Sequence, residues 1–154
     1  MKKQLARIWR ALGLSKSLQL FIMRYSQDQF LVGVTGIFFN EKNEVLLFKH
    51  TYRKIEWSLP GGYMKAKEHP IEGIEREIME ESGLSVSVDD QLKIRTDRDS
   101  SRLDICFVGT FIGGVFKESA EVSAYGFFAF EDLPIIARSQ LLFIEEALRN
   151  RKIQ

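Results

Sequence analysis

A single cysteine stands among the 154 residues, so Cys106 has no partner for an internal disulfide, and the chain suits a reducing compartment. No apolar run approaches 18 residues, which removes any candidate for a membrane-spanning helix. Acidic residues are missing from positions 1 to 27, where Arg7, Arg10 and Lys16 also interrupt the apolar stretch that a secretory signal needs. Internal repeats and low-complexity segments are absent as well. The expected location is the cytoplasm.

Hydrophobic residues make up 45% of the chain, including twelve phenylalanines and two tryptophans, and charged residues 28%. That composition supports one globular domain with a sizeable core and argues against disorder as the main state. The formal charge of +1 conceals an asymmetry, because the first 27 residues carry Lys2, Lys3, Arg7, Arg10, Lys16 and Arg24 while the remainder holds 16 basic and 21 acidic side chains. An acidic body of this kind repels a nucleic-acid backbone unless cations intervene.

Leu5, Ile8, Trp9 and Leu12 share one helical face, as do Leu18, Phe21, Ile22 and Tyr25 after a break at Gly13 and Ser15. The expectation is an N-terminal extension of two amphipathic helices over 1–27, followed by a domain over 28–154. Such stripes pack on the chain's own body or on a second copy as a homodimer. The sharper alternative is a basic helix resting on an anionic membrane surface or on RNA.

Phe30 to Phe39 is rich in β-branched and aromatic residues, Asn40 to Asn43 is turn-like, and Glu44 to Lys49 alternates, which together predict a hairpin. His50 to Trp57 reads as a loop. Pro70 suits a helix start and Gly83 a left-handed helix end, so Ile71, Ile74 and Ile78 stripe a helix over about 70 to 82. Later strands are expected at Leu84 to Val88, Gln91 to Arg95, Leu103 to Gly109 and Tyr125 to Phe130, with a bulge or bend at Gly113 and Gly114. Leu141, Ile144 and Leu148 stripe a last helix.

On the central helix Glu77, Glu80 and Glu81 are spaced i, i+3, i+4 and are expected to crowd the face opposite the isoleucine stripe. Like charges at that spacing oppose the helix and ask for a compensating cation. Hard oxygen ligands favour Mg²⁺ or Mn²⁺ over zinc. A solvated acidic face would be the commoner explanation, but the spacing extends beyond the helix. Gly62, Glu68, Arg76, Glu77, Glu80, Glu81 and Gly83 all fall at fixed intervals, and seven such matches at about 0.07 each arise in roughly one window in 10⁸.

From Gly62 to Leu84 the chain resembles the Nudix hydrolases, whose 23-residue box it meets at every defining position, and Trp57-Ser58-Leu59-Pro60-Gly61-Gly62 is similar to that family's usual lead-in. Lys67 and Gly73 depart from the residues frequent in the box, glycine and alanine, without removing a ligand. The resemblance implies an α/β/α sandwich with a central mixed sheet, and Mg²⁺- or Mn²⁺-dependent hydrolysis of a nucleoside diphosphate linked to another group. It implies Glu77, Glu80 and Glu81 as metal ligands, the Gly61 carbonyl as a further oxygen, Glu68 as an auxiliary and Arg76 as the residue orienting the glutamates. For the general base Glu80 is the first choice, with Glu121, and behind it Glu118, as alternatives from a loop. A nucleotide-sensing module of weak activity is the alternative function.

Tyr52, Trp57 and Tyr125 are candidates to stack on a substrate ring and Arg53 to meet phosphate, although core packing suits Trp57 better. His69 reads as a cap or loop residue, His50 as exposed or hydrogen-bonded, and Cys106 as a small core residue. Residues 96 to 104 contain none of the marks of the better-known subfamilies, so the substrate itself stays open.

Overall fold

Leu31–Phe39 (β1) shows why the chain folds as layers, since its side chains alternate between two separate cores. Val34 and Phe38 enter one with Leu46, Phe48, Ile74 and Ile78, whereas Ile37 and Phe39 enter the other with Val45, Leu47, Phe143 and Ile144. A sheet strand buried on both faces needs a helix over each, and the chain supplies them. Pro70–Ser82 (α2) contributes Ile74 and Ile78 to the first core, and Arg138–Arg151 (α3) contributes Phe143, Ile144 and Ala147 to the second. The result is an α/β/α sandwich.

These features belong to a computed structural model that describes residues 13–97 and 100–151. It divides into two units, Met1–Phe30 and Leu31–Gln154. In the first, Lys16–Ser26 (α1) is an α-helix whose N-terminus is capped by Ser15, whose Oγ accepts from the Leu18 N–H. The helix expected around Leu5 to Leu12 lies outside the described residues. Among the described residues no helix is long and apolar enough to cross a membrane.

The second unit holds one mixed sheet of seven strands among the described residues. Besides β1 these are Val45–His50 (β2), Trp57–Ser58 (β3), Gly61–Tyr63 (β4), Leu84–Asp97 (β5), Arg102–Gly114 (β6) and Val122–Phe128 (β7). β1 runs parallel to β6 from Leu31↔Arg102 to Phe39↔Thr110, and the remaining pairs are antiparallel.

Two expectations about strands need correction. β1 and β2 do join through a tight turn, where Asn40 Oδ1 accepts from Lys42 and Glu44 N–H, but their ladder contact is at Phe39↔Val45. Beyond it the segment 60–63 pairs with β1, with Gly36 N–H donating to the Pro60 carbonyl, while β2 turns to β3 and β7. The segments 84–88 and 91–95 form one strand rather than two, because register shifts near Val88/Asp90 and Gln91/Lys93 absorb the polar residues that read as a break. A further shift at Ser85/Val86 faces the expected irregularity at Gly113 and Gly114.

α2 spans the predicted limits. His69 caps it by accepting from the Ile71 N–H, Glu72 Oε2 accepts from the His69 N–H, and Gly83 closes it at φ 70° with its N–H on the Met79 carbonyl. These ends fix the rotation of the helix and therefore where its glutamates point.

Candidate active site

Arg76 gathers the carboxylates of α2 and its preceding loop. Its Nε and Nη2 donate to the two oxygens of Glu68 at 2.9 Å each, while Nη1 reaches Glu77 at 2.7 Å and Glu80 at 2.9 Å. A further bond of 3.2 Å from Nη2 to the Tyr63 carbonyl ties the cluster to β4. The planar fork of arginine suits this task, as lysine would not. The pairing pulls the Glu68 carboxyl down to about 2, through the Arg76 bond first and the Lys65 N–H second.

Lys65 supplies a second cation, its Nζ lying 3.0 and 3.2 Å from the Glu80 oxygens. That contact, followed by Arg76, holds Glu80 below the ordinary carboxylate range. The two side chains are 59% and 51% exposed, so solvent screens this pair and it opens readily. Glu77 is placed by close approach to the backbone, because a Cβ on Gly62 would stand 2.4 Å from Glu77 Cδ. The compensating cations asked for by the glutamate spacing are thus Arg76 and Lys65.

Glu81 behaves differently from its neighbours. It continues the Ile71, Ile74, Ile78 stripe at helical spacing, so it does not share the fully outward face expected for all three glutamates. Its Oε2 is buried without a hydrogen-bond partner. Burial, with Glu121 and Glu77 nearby, raises its carboxyl to about 7.

The loop before β7 brings Glu121 toward this group. Ser119 Oγ accepts from the Glu121 and Val122 N–H groups, and Thr51 Oγ donates to the Ala120 carbonyl, which fix the loop against β2. Tyr52 Oη then donates to Glu121 at 3.3 Å, and Arg53 stacks on the Tyr52 ring at 5.5 Å. Tyr52, Arg53 and Glu121 are therefore brought together, whereas Glu118 is exposed in the same loop. Trp57 packs instead on Phe128 at 5.1 Å, and Tyr125 on Phe116 at 5.0 Å.

His50 corrects the expectation of an exposed ring, being 2% exposed. Burial first, and Arg53 second, lower it to about 4, so the ring is neutral at pH 7. Cys106 is fully buried, and burial pushes its thiol up to about 11.

The donor set fits a divalent cation. An unpartnered buried carboxylate oxygen beside further glutamates is costly unless positive charge arrives, and oxygen-only ligands suit Mg²⁺ or Mn²⁺. Among the described residues no three such side chains already converge as a ligand set, since Arg76 and Lys65 occupy Glu77 and Glu80. The exposed Lys65–Glu80 pair is the contact that yields most cheaply.

This acid helix, with its arginine clamp and its glycine lead-in, can be set beside known proteins. The family model of the NUDIX domain matches residues 29–147. The chain belongs to the Nudix hydrolase superfamily. Members of that superfamily generally use divalent cations. This Nudix chain is 33% identical over 93 residues to an 8-oxo-dGDP phosphatase of Homo sapiens, covering 59% of this chain and 28% of that protein. It thus spans less than a third of the human relative's length. An ADP-ribose pyrophosphatase of Methanocaldococcus jannaschii is 32% identical over 124 residues, 77% of this chain and 73% of that one. The crystal structure of an ADP-ribose pyrophosphatase from Streptococcus suis superposes with a TM-score of 0.66 at 26% identity, covering 79% of this chain and 93% of that chain.

Sequence reasoning missed Lys65, the Tyr63 carbonyl and the buried Asp104. Asp104 had a signal, being an acid set between Leu103 and the apolar Ile105, Cys106 and Phe107 of a strand, where a charge needs partners.

Proposed function

We propose that this Nudix chain hydrolyses the pyrophosphate bond of a nucleoside diphosphate linked to another group, with Mg²⁺ or Mn²⁺. The observation that carries the reading is Glu81 Oε2, buried and unpartnered beside the Arg76-clamped carboxylates. In this reading Glu77, Glu80 and Glu81 hold the ion with the Gly61 carbonyl, and Glu68 assists through Arg76. The bound ion would neutralise charge on the pyrophosphate and acidify the attacking water.

The chain's own groups do the rest. Arg76 orients Glu68, Glu77 and Glu80. Glu80, released from Lys65, accepts the proton of the attacking water as its oxygen bonds to phosphorus and the P–O–P link breaks; Glu121 is the second candidate for that role. Arg53 and Tyr52, held together beside Glu121, are assigned to phosphate and to an aromatic ring of the substrate. Two of the relatives that support this substrate class are ADP-ribose pyrophosphatases by name. In this reading residues 28–154 act as the catalytic domain, and the basic segment 1–27 serves as a dimerisation extension in a cytoplasmic protein.

The test is a panel of nucleotides with Mg²⁺ or Mn²⁺, followed by ³¹P NMR. Turnover of at least one compound, abolished by Glu80→Gln or Glu81→Gln, is expected. Saturable binding without product across the panel would make the protein a nucleotide-sensing module instead. Deleting residues 1–25 should lower the oligomeric state and leave turnover largely intact.

A further inference from the structure

Two cations hold Glu80, and their grips are unequal. Arg76 Nη1 meets Oε2 at 2.9 Å as one of several bonds that the guanidinium makes within the cluster, to Glu68, Glu77 and the Tyr63 carbonyl. Lys65 Nζ lies 3.0 Å from Oε1 and 3.2 Å from Oε2. Among the described residues, therefore, the ammonium alone holds Oε1. Taking Arg76 from Glu80 would disturb the whole fork, which is only one-fifth exposed. Taking Lys65 away breaks one screened contact between side chains that are each more than half exposed.

The loop nevertheless keeps the ammonium close. Met64 N–H donates to the Val32 carbonyl at 3.0 Å, and the Met64 side chain packs against the first core. The Lys65 N–H donates to Glu68 Oε1, on the same carboxylate that Arg76 clamps. A cation tethered in this way competes as an intramolecular partner, at an effective concentration of roughly millimolar or above. Lys67 differs. It stands two residues further along the same loop, exposed, with its backbone at φ 73°, and among the described residues it forms no ion pair with Glu80.

We propose that Lys65 is a built-in competitor of the divalent cation at Glu80, so that the loop carrying it, and not the glutamates alone, sets the Mg²⁺ or Mn²⁺ concentration at which the site fills. The inference rests on the reading of α2 as the metal centre. An ammonium on Glu80 Oε1 covers the lone pairs that a hard dication requires there, and it repels the ion. The ion and Lys65 therefore exclude one another at Oε1, while Arg76 stays on Oε2. The carboxylate is compensated throughout, by the ammonium at low metal concentration and by the ion at high.

The test titrates Mn²⁺ into the full chain without nucleotide, followed by calorimetry and by the electron paramagnetic resonance signal of free Mn²⁺. Lys65→Met should lower Kd at least about threefold. Lys65→Arg keeps the charge and should not tighten binding. Lys67→Met removes an equal charge from the same loop and should change Kd by less than about twofold. In a Glu80→Gln background Lys65→Met should lose its effect, because the pair it breaks is already gone.

Equal Kd for Lys65→Met and the parent overturns the proposal. So does equal tightening by Lys67→Met, which would reduce Lys65 to a part of the general field, or undiminished tightening in the Glu80→Gln background. Each of these failures leaves the metal centre standing. Saturable Mn²⁺ binding missing from the parent and from Lys65→Met alike would instead remove the metal centre, and this inference with it.

Discussion

Glu81 follows Ile74 by two helical turns on the same side of α2, and its Oε2 is sealed from solvent without a hydrogen-bond partner. A core-facing isoleucine and a carboxylate on one stripe mean that the helix delivers an acid into a place of low dielectric, where only a proton or a cation offsets it.

The stability of the metal-free protein should carry this signature. Glu81 is raised from its ordinary 4.5 to about 7, so its contribution to stability is complete below pH 4.5 and is lost as pH rises through about 7. His50 acts in the opposite sense, being lowered from 6.5 to about 4, so its contribution is lost as pH falls through that range. Glu81→Gln isolates the first effect. The variant should be about as stable as the parent at pH 4.5 and more stable by roughly 1–2 kcal/mol at pH 8. Thermal melts in chelator at both pH values measure it.

Metal affinity should follow the same proton. With Glu81 among the proposed ligands, Mn²⁺ has to displace it, so the apparent Kd should rise about tenfold from pH 8 to pH 6. Titrations in buffers of different ionisation enthalpy should show proton release near pH 6.5. A Kd that is flat across this range would remove Glu81 from the ligand set.

Arg76 clamps three carboxylates, and losing it leaves them to repel one another. Arg76→Met should cost about 2–4 kcal/mol in denaturant unfolding, and added Mg²⁺ should recover part of that loss. Arg76→Lys should fall between the two, since one ammonium cannot reproduce the fork onto Glu68.

Gly62→Ala probes the approach of Glu77. The new methyl would stand 2.4 Å from Glu77 Cδ, so the carboxylate must move. Stability should drop by only about 1–2 kcal/mol, while turnover falls by at least about tenfold because a proposed ligand is displaced.

The helix limits and its acid cluster were legible in the sequence because local rules govern them. Pro70 and Gly83 marked its ends, the isoleucines marked its buried side, and the glutamate spacing asked for a cation. What was hidden depends on contacts between distant segments. Lys65 reaches Glu80 only once the loop folds back on α2, and Glu121 joins the group only through the pairing of β2 with β7. Asp89 and Asp90 suggested a break where bulges in fact carry β5 through.

The most direct measurement follows ADP-ribose with the full chain and Mg²⁺ in ¹⁸O-enriched water by ³¹P NMR. Loss of the diphosphate signals is expected, with two monophosphates appearing, ¹⁸O on one of them, and no reaction in Glu81→Gln. A nucleoside triphosphate is run in parallel. Diphosphate and triphosphate signals that both stay intact at full nucleotide occupancy, with Mg²⁺ or with Mn²⁺, would contradict pyrophosphate hydrolysis at this site.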